Sequence, residues 1–318
     1  MISRPIDIAG ADPRGLGRCI SAPNAKAIFA ASMRRRQIMS ILFGLSTTLA
    51  TPPEGTLVPP VQGAYLGFRS QATANPWDAN FSWNLGWREV MYGAEHPALA
   101  YNFIGMEFLS QIATHEMSIG ARMFVQPISF VQSSLSYERI AFPFGVISFA
   151  GNPNRSENDI WTEDHTLDPA WADMFTWRWS LHREVGVVQG RLQGSWSRID
   201  IDRNMDSVYL PNSDIISRSR DDLMSLDASL GYVTESPFLA AVGPVFSYTE
   251  SSDHKIQRRR IGLSMQAWPF SSRSGEIKKF WTLRSRLDLW TSHSSRQWQP
   301  RLELTLGWER NIFQPEQD

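Results

Sequence analysis

One cysteine, Cys19, stands in a chain of 318 residues, close to its start. A single thiol excludes an intramolecular disulfide and any multi-cysteine metal site. Long apolar runs are missing too: no stretch of about 18 apolar residues could cross a bilayer as a helix. Charge of one sign is also lacking, since 31 Lys and Arg oppose 32 Asp and Glu for a net charge of −1. With a pI near 6.6, nothing global points to a nucleic-acid partner. Amphipathic helical periodicity of useful length is absent after Thr51, and so are a Gly-rich phosphate loop and a repeat of fixed period. What the chain has instead is 13 Trp and 17 Phe, in a sequence whose mean hydropathy is only −0.28.

The amino-terminal region divides into segments. From Met33, three arginines (Arg34 to Arg36) precede a short apolar run, Ile38 to Leu49, and Thr48-Leu49-Ala50 offers small residues for cleavage before Thr51. This is the arrangement of a secretory signal peptide, so residues 33–50 are read as one. Residues 1–32 then lie upstream of the natural start, as a non-native or overextended N-terminus. The exported chain would contain no cysteine, which fits passage through an oxidising compartment. Residues 51–62, TPPEGTLVPPVQ, form a proline-bearing extended segment expected in the periplasm or the lumen.

Beyond residue 62 the recurring signal is alternation with a period of two. In ANFSWNLGW, Phe81, Trp83, Leu85 and Trp87 oppose Asn80, Ser82, Asn84 and Gly86; in FTWRWSLH, Phe175, Trp177, Trp179 and Leu181 oppose Thr176, Arg178, Ser180 and His182. Such alternation marks strands with one oily and one polar face. About twelve are expected, at 63–71, 79–92, 98–112, 115–129, 133–149, 173–184, 187–200, 222–234, 237–250, 256–269, 277–291 and 297–313. Typical soluble strands run about 5 to 6 residues, whereas membrane-crossing strands need about 9 to 11. Length therefore favours a wall in lipid over a soluble sandwich. The connections sort by end, with short turns such as 130–132 and 184–186 on one side and the longest loops, 151–172 and 201–221, on the other.

The last strand, RLELTLGWERNIF, sets Leu302, Leu304, Leu306 and Trp308 against Glu303, Thr305, Gly307 and Glu309, and it ends on Phe313, ahead of a short tail, 314–318. With the preceding alternation, it resembles the closing strand of Gram-negative outer-membrane β-barrels. The resemblance implies an all-β, transmembrane, antiparallel up-and-down barrel of about twelve strands over 63–313, located in the cell outer membrane. It also implies contact with outer-membrane lipid and lipopolysaccharide, and recognition of the C-terminal strand by the outer-membrane assembly machinery.

If the polar faces turn inward, the lumen carries Arg88, Glu107, Glu116, Arg122, Arg178, Arg191, Asp227, Arg258, Arg260, Arg284, Arg286, Asp288 and Glu303. Two readings stay open: a salt-bridged, largely closed interior, or a narrow porin-like channel whose arginines favour small anionic solutes. A third class is a structural or docking barrel, with a partner or ligand at loops 151–172 and 201–221. A lipid hydrolase is a weaker alternative, because His115 and Ser118, at i and i+3 on a strand, face opposite sides. No catalytic residue, metal or cofactor is assigned; no two histidines share a metal-ligand spacing. Trp77, Trp177, Trp179, Trp268, Trp281 and Trp298 are expected in the aromatic girdles at the membrane interfaces.

Overall fold

The computed structural model describes residues 62–74, 78–92, 99, 102–148, 166–203, 208–210, 215–234, 239–268, 281–292 and 297–313. The readings made for residues 1–61 and 314–318, for Trp77 and for loop residues 151–165 lie outside these. The described residues form fourteen strands in chain order: β1 (Gly63–Ala74), β2 (Asp78–Val90), β3 (Phe103–Ala113), β4 (Met117–Ile128), β5 (Val131–Ser148), β6 (Thr166–Val185), β7 (Val188–Ile201), β8 (Val208–Leu210), β9 (Ile215–Ser217), β10 (Arg220–Thr234), β11 (Leu239–Ser251), β12 (Ile256–Trp268), β13 (Trp281–Ser292) and β14 (Pro300–Phe313). Among the described residues none is helical.

Twelve strands form a closed antiparallel meander. The ring runs β4-β3-β2-β1-β14-β13-β12-β11-β10-β7-β6-β5 and shuts by pairing β4 with β5. The seam between β1 and β14 keeps one register from Tyr65 to Ala74, with Phe68 opposite Trp308 and Ala72 opposite Leu304, and shifts only between Ala64 and Tyr65. Closure is what lipid demands, because an unpaired strand edge there strands backbone donors and acceptors at several kcal/mol each.

The outer wall is where the oily faces went. Phe81, Leu85, Met106, Phe108, Leu287 and Leu304 are all exposed, and such residues recur on every barrel strand. A soluble monomer rarely exposes an apolar patch beyond a few hundred Å²; a continuous belt of this kind is a lipid-facing surface. The two longest connections, 149–165 and 202–219, leave from the same end of the ring, which by the loop asymmetry of such barrels is the external one. At the other end Val185 pairs with Val188, leaving a two-residue turn with Gly186 at φ +59°, the left-handed conformation that tight hairpins require and glycine supplies freely.

Two features depart from the expected pattern. Strand β6 starts at Thr166 rather than 173, so that β5 and β6 rise above the rest of the wall. The stretch 201–221, expected as a long external loop, contains the β8–β9 hairpin. That hairpin extends the sheet at the raised end of β5, where Ser148 faces Val208, and β9 reaches β11 and β12 on the far side of the ring. It thus lies across the external mouth. Val208, Tyr209, Leu210, Ile215 and Ile216 are buried against Ile140, Phe142, Ala170, Ala172, Ile199, Ile201, Leu223 and Ile256. The inward face of the wall is apolar at this rim, and the hairpin covers it.

Candidate functional site

Below the cap the inward face turns polar and charged. At the β1–β4 wall, Tyr65 is completely buried. Its hydroxyl donates to Glu107, its ring sits 3.6 Å beneath the Arg88 guanidinium, and Glu107 also takes Arg122. Arg88 in turn donates to Glu309 at 2.9 Å on β14. Gly86 lies directly across from Tyr65, and a Cβ there would stand 2.5 Å from the tyrosine ring. The ring therefore packs over the glycine and shields its backbone, the arrangement by which aromatics compensate for glycine in sheets.

A second network spans β10 to β14. Asp288 is fully buried, with Arg286 Nε at 2.6 Å, Arg260 Nη1 at 3.7 Å and Arg301 Nη1 at 3.8 Å from its Oδ2. Arg301 also pairs with Glu303 at 2.7 Å, and Arg286 with Asp227 at 3.3 Å. Arg286 further donates to Ser247 Oγ at 2.6 Å. One carboxylate among three guanidiniums is the compensation that burial of charge requires.

Between these networks lies a cavity of about 470 Å³, and its charged lining is Arg69, Arg122, Arg178, Arg191, Arg260, Arg284, Arg286 and Arg301 against only Asp227 and Glu303. Eight cations to two anions make this a cationic chamber. Low-dielectric walls focus such a field and concentrate counter-ions.

The structure positions the residues nominated from the sequence as follows. Arg88, Glu107 and Arg122 belong to the first network; Asp227, Arg260, Arg286, Asp288 and Glu303 to the second; Arg178, Arg191 and Arg284 line the cavity; Arg258 is buried on β12. Glu116 sits in the β3–β4 connection, at the external end. Burial, then the neighbouring Asp78 and Glu138 carboxylates, push its own carboxyl up to about 7. Two cavity residues, Arg69 and Arg301, were missed, although each shares the inward phase of its strand: Arg69 alternates with Leu66 and Phe68, Arg301 with Leu302. Ser118 gives its hydrogen bond to Glu138 Oε2 at 3.3 Å, a serine–carboxylate contact with no histidine in it.

Among the tryptophans, Trp177 is exposed on the outer wall, its indole N–H donating to Ser133 Oγ at 3.1 Å. Trp179 overlies Gly194, and Trp298 is exposed in the β13–β14 connection at φ +64°. The side chains of Trp268 and Trp281 lie outside the described residues.

No protein-family model and no curated protein matches the sequence. Solved structures of similar architecture include the translocator domain of the autotransporter NalP from Neisseria meningitidis, at 9% identity over 91% of this chain and 98% of that one, TM-score 0.45. The β domain of the Bordetella autotransporter BrkA gives 10%, 79%, 99% and 0.41 in the same order, and the Acinetobacter baumannii outer membrane protein Omp33 gives 11%, 79%, 99% and 0.36. The likeness is one of wall architecture. The closed ring and its oily exterior make the chain an outer-membrane β-barrel, located in the cell outer membrane.

Proposed function

We propose that the barrel takes small anionic solutes into its lumen and serves as a narrow, capped channel for them. The observation that carries this reading is the charge of the chamber, eight arginines to two acids. Fixed cations along a pore wall lower the barrier for anions and raise it for cations. The β8–β9 hairpin occupies the external mouth, so passage requires it to move.

The test is single-channel conductance of the refolded chain in planar bilayers, with an Arg178→Glu, Arg284→Glu variant alongside. Arg286 is a poor reporter, because its pairing with Asp227 and Asp288 makes reversal a structural insult. Discrete anion-preferring current, weakened or inverted in the variant, is the expected result. A folded barrel without current would remove the channel and leave a second reading, favoured by the folded cap: a docking barrel whose external loops meet a partner.

A further inference from the structure

The cavity arginines are of two kinds. Arg122 has Glu107, Arg286 has Asp227 and Asp288, Arg301 has Glu303, and Arg260 has Asp288. Arg69, Arg178, Arg191 and Arg284 line the same cavity, and none of them forms an ion pair among the described residues. The four come from two parts of the ring: Arg69 on β1 and Arg284 on β13 are separated by one strand, β14, while Arg178 on β6 and Arg191 on β7 are on neighbouring strands, offset by four residues in the ladder. They share one field: Arg191 interacts electrostatically with Arg284 first, then with Asp227, Arg178 and Arg69.

Four guanidiniums share this field with Asp227, Glu303 and Glu138 near them but none in ion-pair contact, and a wall built only for rigidity would pair them, as it pairs the other four. Each guanidinium offers a planar fork of donors matched to carboxylate or phosphate oxygens. Neutral donors and acceptors stand between them, among them Gln71, Ser134 and Gln193, and Gln193 Oε1 accepts from Arg191 at 2.7 Å. The volume, about 470 Å³, falls within the range of small-molecule sites. The acid-compensated cluster around Asp288 lies toward the external ends of its strands, whereas Arg178, Arg191 and Arg284 stand in the halves nearer the periplasm.

We propose that Arg69, Arg178, Arg191 and Arg284 form a binding site, reached from the periplasmic side, for a small solute carrying two or more anionic groups. This rests on the reading of the lumen as an anion path and names the ligand class that the path holds.

Isothermal titration calorimetry of the refolded full chain in detergent tests it, with citrate as the polyanion and gluconate as a monoanionic, hydroxyl-bearing control. Two variants, Arg178→Gln with Arg191→Gln and Arg69→Gln with Arg284→Gln, remove two of the four guanidiniums each, and heat-modifiable gel mobility verifies that both are folded. Citrate should bind once per barrel, at least about tenfold tighter than gluconate, and each variant should weaken citrate by about tenfold or more. Equal affinity for citrate and gluconate, or citrate binding undiminished in both folded variants, overturns the site. Bilayer current reports on passage separately: citrate binding without current removes the channel and keeps the site, while anion current without citrate preference removes the site alone.

Discussion

Ser217 Oγ donates to Asp221 Oδ2 across 2.8 Å, and this contact ties the end of the cap hairpin to the barrel wall. The same buried carboxylate accepts from Ser251 Oγ, from the Asp222 amide at 2.7 Å and from the Asp253 amide at 3.1 Å. One aspartate on β10 thus joins β9, β10 and the β11–β12 turn.

Asp221→Ala should free the hairpin while leaving the ring intact. Four hydrogen bonds share the carboxylate, and breaking bonds to a charged group costs roughly 1.5 to 3 kcal/mol each. Amide exchange across 208–217 should rise by at least about tenfold, with exchange in β1 and β14 unchanged. If the channel reading holds, mean current should increase as well.

Asp288→Ala should be far more damaging. It leaves Arg286, Arg260 and Arg301 facing one another without their shared partner, and removing one member of a buried ion pair costs about 3 to 5 kcal/mol. The urea midpoint of the refolded barrel, followed by tryptophan fluorescence, should fall accordingly. Asp222→Ala, at a partly exposed pair with Arg198, should barely move it.

Gly86→Val should displace the Tyr65 ring, since even a Cβ would sit 2.5 Å from it. Overpacking of this sort costs about 1 to 3 kcal/mol. The change should be partly rescued by Tyr65→Ala, which removes the clashing ring, and a double-mutant cycle in urea measures the coupling.

Glu116 makes the external end sensitive to pH. Its folded value, about 7, lies above the ordinary 4.5, so the folded state holds a proton that the unfolded state releases. The associated stability is fully present below about 4.5 and is lost as pH rises through about 7. Glu116→Gln should flatten that dependence in urea titrations between pH 5 and pH 8, and the β3–β4 turn should then exchange its amides at a pH-independent protection level.

The ring was legible because lipid outside and water inside force a strict alternation, and twelve strands repeat it. The cap was not. Ile140, Phe142, Ala170, Ala172, Ile199 and Ile201 stand on the inward face; beside Ala141 and Trp171 they erase the contrast that period-two reading depends on, and beside Arg139, Arg198 and Asp200 they invert it. Strands β8 and β9, three residues each, are too short to display any period. The division of the arginines was equally hidden. Whether Arg286 pairs with Asp227, or Arg284 lines the cavity without an ion pair among the described residues, depends on the stagger between strands that are distant in the chain, and no single strand's sequence encodes that stagger.

The seam between β1 and β14 carries a consequence for the order of events in folding. Phe68 meets Trp308 only after every intervening strand has been laid down, so the longest-range pairing in the molecule is also the one that removes the last raw edges. Closing so large a loop is slow relative to forming neighbouring hairpins. Until it closes, β1 and β13 or β14 offer free edges to any other chain, as sheet edges do. Joining the end of β14 to the start of β1 by a short linker and opening the chain in an external loop would turn this late encounter into a local hairpin, and the barrel should then close faster without any change in its final wall.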